Sequence, residues 1–458
     1  MTLGTIRQWL AGAALAVSAL PAGPMTAAPT VYPTGTTIYD PAMAWNGYTV
    51  ISPLDTRAVI VLDMNGRVVK RWDGFDLASG GPARVLPGGI VIAPQGLFPG
   101  HLESTALVAE DFDGKELWRF DRAEEVEIDG TLQWSARQHH DWQLSTFPAG
   151  YYSPQVTPGL EGAAKLLLTH AGHSDPAIAE VELDDDRLVE LDAQGQVSWQ
   201  WRAGDHIDEL GLDPPARAAV RRLARRDGFD WFHINSATYV GPNKWFDAGD
   251  KRFDPMNVII SSRQASVVAI VARDGSIAWR IGPDFSATPE LREIGQVIGQ
   301  HHAHLIPPGL PGAGNLLVFD NGGASGYGAP SPISPTGNSI YQRANSRVLE
   351  IDPVSLKVAW NYTAPNFYST NISSAQRLPN GNTLITEGAP GRIFEVTAKG
   401  EIVWEYMAPP GEGARRSNSV YRAYRVPYSW LPQLAVPQQV AIARPDLARF
   451  HVPGTPGD

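Results

Sequence analysis

The chain has 458 residues, 43% hydrophobic and 19% charged, enough to bury a large core as one big domain or two to three ordinary ones. Its formal net charge of -11 argues against nucleic-acid binding, which depends on a basic surface. Cysteine is absent, which excludes disulfides, thiolate nucleophiles and cysteine-ligated zinc.

Arg7 precedes a short apolar run from Leu10 to Pro21, followed by small residues up to Thr26-Ala27-Ala28. This is the pattern of a secretory leader over residues 1–28, with an uncleaved membrane anchor as the alternative. Later stretches fall short of the roughly 18 apolar residues of a membrane helix, so no span is expected after processing.

From there one phrase recurs: an apolar residue, a turn around glycine, a β-prone run and a tryptophan. It reads VLDMNGRVVKRW to Trp72, AEDFDGKELW to Trp118, LVELDAQGQVSW to Trp199, AIVARDGSIAW to Trp279, VLEIDPVSLKVAW to Trp360 and IFEVTAKGEIVW to Trp404. Each copy reads as a tight β-hairpin. The tryptophans lie 46, 81, 80, 81 and 44 residues apart, and the short intervals match one four-stranded propeller blade. A second phrase, as in RVLPGGIVIAP at Arg84 and RLPNGNTLITEG at Arg377, reads as the other hairpin of each unit. Together with 45 glycines and 38 prolines, this predicts an all-β, six-bladed β-propeller over residues 29–458, with blades over about 50–425. The repeated Asp, Gly and Trp read as turn chemistry and core packing, with Trp118, Trp199, Trp279, Trp360 and Trp404 in the core rather than stacking on a ligand.

Two insertions interrupt the repeat. Residues 206–229 hold Asp213-Pro214-Pro215 and ARAAVRRLARR, a helix with proline at its start and arginines on a solvated face. Residues 320–346, rich in Gly, Ser, Pro and Asn, read as a long loop over one propeller mouth. The extension 426–458 carries no readable chemistry.

Histidines recur at the starts of innermost strands, where a propeller converges on its axis: ARQHHDWQL (His139, His140), DWFHINSATYV (His233) and GQHHAHLIPPG (His301, His302, His304). Arg263 follows two serines in the apolar stretch NVIISSRQASVVAIV. A buried arginine needs an anionic partner, either a carboxylate of the fold or a bound anion.

HHDW, DW-x-H-x-N-S, ISSR-x-x-S, QHHA with GNLLVFDNG, and GNTLITEG-x-x-GRIFEVT-x-x-G-x-IVWEY together resemble the bacterial arylsulfate sulfotransferase family, over roughly residues 55 to 425. The resemblance implies a six-bladed propeller, exported to the periplasm or secreted, that moves a sulfuryl group from a phenolic sulfate ester to a phenol. The route it implies is ping-pong through a sulfurylated histidine, with no cofactor, no nucleotide donor and a homodimer. By motif the nucleophile is His301, with His302 as rival because the doubled histidine shifts the register by one. His140, His233, Asn235 and Arg263 surround the sulfuryl oxygens. The chain departs from some members in lacking cysteine and in its helical insertion before Asp230.

These residue types suit the chemistry. Neutral imidazole is a good nucleophile, arginine offers a fixed fork of donors, and a second histidine can protonate the leaving phenolate and later deprotonate the acceptor. No GxxxxGK[ST] loop is present to hold a nucleotide donor. Two other readings compete: a non-catalytic propeller that binds a ligand or partner, and a metal- or quinone-dependent propeller enzyme. For the metal, His302 and His304 on one strand face give a pair seldom sufficient alone.

Overall fold

The computed structural model describes residues 34–98, 102–128 and 130–444. The expected leader lies outside them. The described chain is all-β in a propeller-like arrangement, with only three short α-helices, Pro214–Leu223, Lys244–Asp247 and Pro289–Ile294. None of its helices is long and apolar enough to cross a membrane.

Four antiparallel sheets stand as separate blades. One pairs Val420–Val426 with Tyr48–Pro53, Ala58–Leu62 and Val68–Asp73, so the chain's two ends close on each other. The next two run in chain order, from Ile234–Tyr239 to Ile277–Ile281 and from His301–Leu305 to Val358–Tyr362. The fourth begins at Ser374–Arg377, ends at Ile402–Met407 and takes Gly35–Tyr39 as a fifth strand. The expectation of six separate blades therefore needs correction. The region between the first and second of these blades is one nine-stranded sheet, in which the strand Gln138–Leu144 meets Glu103–Glu110 at a single register pair, Gln138 with Ser104.

The repeat's polar residues make the hairpins. Asp63 Oδ1 accepts the backbone N–H groups of Asn65 and Arg67, and Asp111 and Asp192 do the same for their own turns. Gly66, Gly114 and Gly195 close those turns at φ of 80°, 86° and 81°, a left-handed conformation that strains any residue with a Cβ. The tryptophans reach sideways. The indole N–H of Trp72 donates to Asp111 O, Trp199 to Arg273 O, Trp279 to Pro353 O, Trp360 to Ala398 O and Trp404 to Met64 O, all at 2.8–3.0 Å. Each acceptor belongs to the hairpin of the next copy of the repeat, and the last of these bonds joins the end of the ring to its start. Trp279 and Trp404 are buried as expected, but Trp118, Trp199 and Trp360 are only half-buried.

The insertion helix Pro214–Leu223 is capped by Asp213, whose side chain accepts the N–H of Ala216 at 2.8 Å. Its arginines anchor it to neighbouring loops: Arg221 donates to Ala177 O and Arg222 to Thr336 O. The segment 320–346 folds as a small hairpin, Ser325–Tyr327 with Asn338–Tyr341. The Tyr327 hydroxyl donates to Trp231 O, which fastens this hairpin to the segment that carries His233.

Removing the ring-closing bond tests this frame. Trp404→Phe keeps the ring packing and loses one buried donor, so unfolding free energy should fall by about 1–3 kcal/mol, read as a lower urea midpoint at unchanged slope. Trp360→Phe, at a more exposed bond, should cost less.

Candidate active site

Strand Gln138–Leu144 packs against Ile234–Tyr239, which in turn packs against His301–Leu305. Beyond that, Ser374–Arg377 and Val420–Val426 complete the central wall. The ladder is broken on the first three of these strands, between Gln138 and Trp142, between Ile234 and Ser236, and between His301 and His304. At or beside each break a histidine has left-handed backbone: His140 at φ 53°, His233 at 55° and His302 at 52°. Such a residue re-aims its neighbours out of strict alternation, at a cost of order 1–3 kcal/mol each, so histidines adjacent in sequence can face different partners.

The rings of His140 and His233 meet edge to face, 4.6 Å apart. His233 Nδ1 is hydrogen-bonded to Asp230 Oδ2. Burial pushes the Asp230 carboxyl up, but the charge and hydrogen bond of His233 outweigh it and hold the carboxyl below its ordinary value. His301 Nδ1 lies 2.7 Å from Asn321 Oδ1 and 3.0 Å from Gly299 O. Both partners accept, so Nδ1 carries the proton and Nε2 presents a lone pair, which the N–H of Ile372 now holds at 3.1 Å. Ile372 and Ser373 are both left-handed, at φ 53° and 94°, a strained pair for residues with a Cβ. Burial, and then the Arg263 guanidinium, keep His301 well below its ordinary basicity, so the ring is neutral.

Arg263 is largely buried, and among the described residues its guanidinium makes neither an ion pair nor a hydrogen bond. Burial lowers its basicity, and the charge of Asp230 partly offsets this. Asn235 donates through Nδ2 to Gln300 O at 2.7 Å, leaving its buried Oδ1 with no partner among the described residues. The structure thus gathers His140, His233, Asn235, Arg263 and His301 about one region. His302 faces a different neighbourhood. Its ring lies 4.4 Å from that of His304, and its Nε2 is 3.4 Å from the Tyr424 hydroxyl.

Two histidine groups bear on the metal reading. Both nitrogens of His304 are engaged, with His302 O and with the Tyr151 hydroxyl, each at 3.0 Å. His139, His170 and Asp186 place three ligand atoms within 4.8 Å of one another. However, the His139 and His170 rings are stacked at 3.7 Å and 19°. In-plane lone pairs of nearly parallel rings cannot meet at one ion about 2.0–2.1 Å from each.

The sequence of residues 145–408 matches the family model described as Arylsulfotransferase (ASST). The match spans more than half of the chain. The protein belongs to the arylsulfotransferase family, whose members act on small phenolic substrates, and it is an aryl sulfotransferase in that general sense. No curated protein matches the chain. Among solved structures, a protein of unknown function from Bacteroides caccae is 10% identical, covers 83% of this chain and 99% of its own, and superposes with a TM-score of 0.43. Virginiamycin B lyase from Staphylococcus aureus gives 11%, 74%, 73% and 0.34, and the Dos1 propeller 10%, 81%, 75% and 0.33. Scores this low carry no inference about activity.

Within this family member, several residues around the histidines escaped the sequence reading. Arg422 is fully buried and donates to Asp141 Oδ2 at 3.0 Å and to Asn235 O at 2.7 Å. Arg84 holds the other oxygen of Asp141 at 2.8 Å. Tyr421 donates to the carbonyls of His140 and Asn235, both at 3.1 Å. The signals were present: arginines alternating with tyrosines in VYRAYRV, and three consecutive acids in VELDDDRLV, where Asp185 and Asp186 are fully buried. A cavity of about 400 Å³ between Arg187, Trp199, Arg202 and Arg273 lies on outer strands, away from these groups.

Two measurements probe the cluster. Arg422→Met leaves Asp141 half-paired in the interior and should cost about 3–5 kcal/mol of stability. Burial disfavours the charged form of His170, but the hydrogen bond and charge of Glu103, 2.8 Å away, raise it from its ordinary 6.5 to about 9. A raised folded-state value means this stabilisation is whole below the ordinary value and fades as pH rises through about 9. Wild type should therefore lose stability over that window relative to His170→Asn, in paired denaturant titrations.

Proposed function

We propose that the chain moves a sulfuryl group from a phenolic sulfate ester to a phenol acceptor by a ping-pong route through a sulfurylated His301. The observation that carries this reading is Arg263: a largely buried cation without a counter-charge of its own, beside the neutral His301 and the His233–Asp230 pair. A guanidinium so placed suits a dianionic or monoanionic oxygen cluster arriving as substrate. A purely structural propeller gives it no partner.

In the first half-reaction, His301 Nε2 attacks sulfur as the sulfur–aryloxygen bond breaks. The N–H of Ile372 has to yield that lone pair as the nitrogen–sulfur bond forms. Asn321 keeps the Nδ1 proton in place, so the attacking tautomer is already selected. Arg263 binds the sulfuryl oxygens, and His140 or His233 gives a proton to the departing phenolate. In the second half-reaction the same histidine takes the proton of the incoming phenol, whose oxygen receives the sulfuryl group. His302 remains the rival nucleophile by sequence register, but its neighbours are Tyr424 and His304 rather than Arg263.

The same reading extends to the fold and the address. Counting the nine-stranded sheet as two units, one from Arg84–Leu86 to Glu116–Phe120 and one from Gln138–Leu144 to Val197–Arg202, gives six blades. The leader-like pattern before Pro29 argues for export to the periplasm or beyond, and the family resemblance for a homodimer.

Mass spectrometry after brief exposure to 4-nitrophenyl sulfate tests the chemistry. The peptide holding His301 should gain one SO3 unit, lose it on addition of phenol, and gain nothing in His301→Ala. Arg263→Met should lower kcat/KM by about 10²–10³ with the adduct site unchanged. An unmodified peptide with no nitrophenolate release would sink the proposal; an adduct on His302 would keep the function and move the nucleophile.

A further inference from the structure

One group of buried titratable residues has no part in the chemistry so far. His139 Nδ1 lies 2.8 Å from His140 Nδ1. Two lone pairs at that distance repel, so one proton must sit between them, carried by either ring. On its other side, His139 Nε2 is fully buried, makes no hydrogen bond among the described residues, and stands 3.4 Å from Asp186 Oδ1. The carboxylate, the first ring and the second ring thus form a line that ends on His140 Nε2, beside His233 and the sulfuryl site.

We propose that Asp186, His139 and His140 are a proton relay that lets His140 Nε2 give a proton in one half-reaction and take it back in the other, with neither ring becoming an imidazolium. This rests on the sulfotransferase reading above. In the first half-reaction the His140 Nε2–H passes to the phenolate oxygen. The His139 Nδ1–H passes to His140 Nδ1, and the Asp186 O–H passes to His139 Nε2. Three protons each move one place, and the negative charge moves from the phenolate to Asp186. The incoming phenol reverses every transfer.

The surroundings of each group fit this role. Burial, and then the charge of Asp230, favour a protonated Asp186, with Asp185 adding to the effect. Against these stand His170, with Nε2 3.9 Å from Asp186 Oδ1, and the backbone N–H of Ile234, 3.0 Å from both carboxylate oxygens. These donors steady the carboxylate once it forms. His170 is itself held cationic by Glu103, which Arg137 also grips. Burial, followed by neighbouring His170, His140 and His233, keeps His139 neutral, and the Thr169 carbonyl opposes them only weakly. His140 is likewise held neutral by burial and by His233, His170, His301 and Arg422. Protonating either ring outright would place a cation among these groups. Exchanging tautomers avoids it.

The test compares leaving groups in the full chain. His139→Phe keeps the stack on His170 and removes both nitrogens. It should cut kcat/KM by about 10²-fold or more with phenyl sulfate, whose strongly basic phenolate needs the proton. With 4-nitrophenyl sulfate, whose leaving group needs little help, the loss should be less than tenfold and the sulfuryl adduct should still form. Equal losses on both esters mark a merely structural role and overturn the relay. If His139→Phe does not fold, Asp186→Asn is held to the same split. If wild type itself transfers from neither ester, the sulfotransferase reading falls, and the relay is judged alone by 15N NMR of the histidine side chains. Two neutral rings sharing one Nδ1 proton at neutral pH support it; a cationic His139 or His140 overturns it.

Discussion

Asp141 joins the centre of this molecule. One oxygen accepts from Arg84 and the backbone of Trp142, the other from Arg422 and the N–H of Ala237, so one carboxylate binds groups on three other central strands. All three charged side chains are buried. Burying such ions costs several kcal/mol each, and only dense mutual pairing offsets it. The arrangement contributes registry more than net stability, because those strands can approach the axis in only one alignment that satisfies every donor. His139 and His140 lie on the strand of Asp141 itself and His233 immediately precedes the strand of Ala237, so the positions of these three follow from this pairing.

A second constraint is backbone strain. A regular strand would send consecutive side chains to opposite faces, and a doubled histidine would then offer one ring to the axis and one to the blade interior. The left-handed residues at His140, His233 and His302 break this rule at equivalent places. His139 and His140 touch nitrogen to nitrogen, while His301 and His302 part company, one toward Arg263 and one toward Tyr424. Deviations of this size persist only where surrounding contacts over-determine them, which here are the pairings of Asp141, Asn321 and Asp186.

The electrostatic character of the site around His301 follows from burial combined with nearby guanidinium groups. Arg263 and Arg422 both oppose protonation of His301, and burial opposes it more. Imidazole in that setting stays neutral and nucleophilic at neutral pH, while the unpaired guanidinium favours an incoming anion. A guanidinium beside an uncharged imidazole is what the proposed transfer of an anionic group requires.

Much of this was legible in the chain itself. Hairpin turns with aspartate and glycine report local chemistry that acts within a dozen residues, and they recur in the structure. Arg263 of ISSRQAS is partly buried in the turn after Val258–Ser262, and a carboxylate of the fold, one of its two expected partners, makes no ion pair with it among the described residues. Blade separation was not legible. It depends on whether neighbouring strands happen to share a backbone hydrogen bond, as at Gln138 and Ser104, which no repeat pattern encodes. Nor could the chain text say which of two adjacent histidines meets Arg263, or that Asp186 lies beside His139. Those outcomes turn on left-handed bulges and on contacts between residues tens to hundreds of positions apart, and only the closed ring brings such residues into reach.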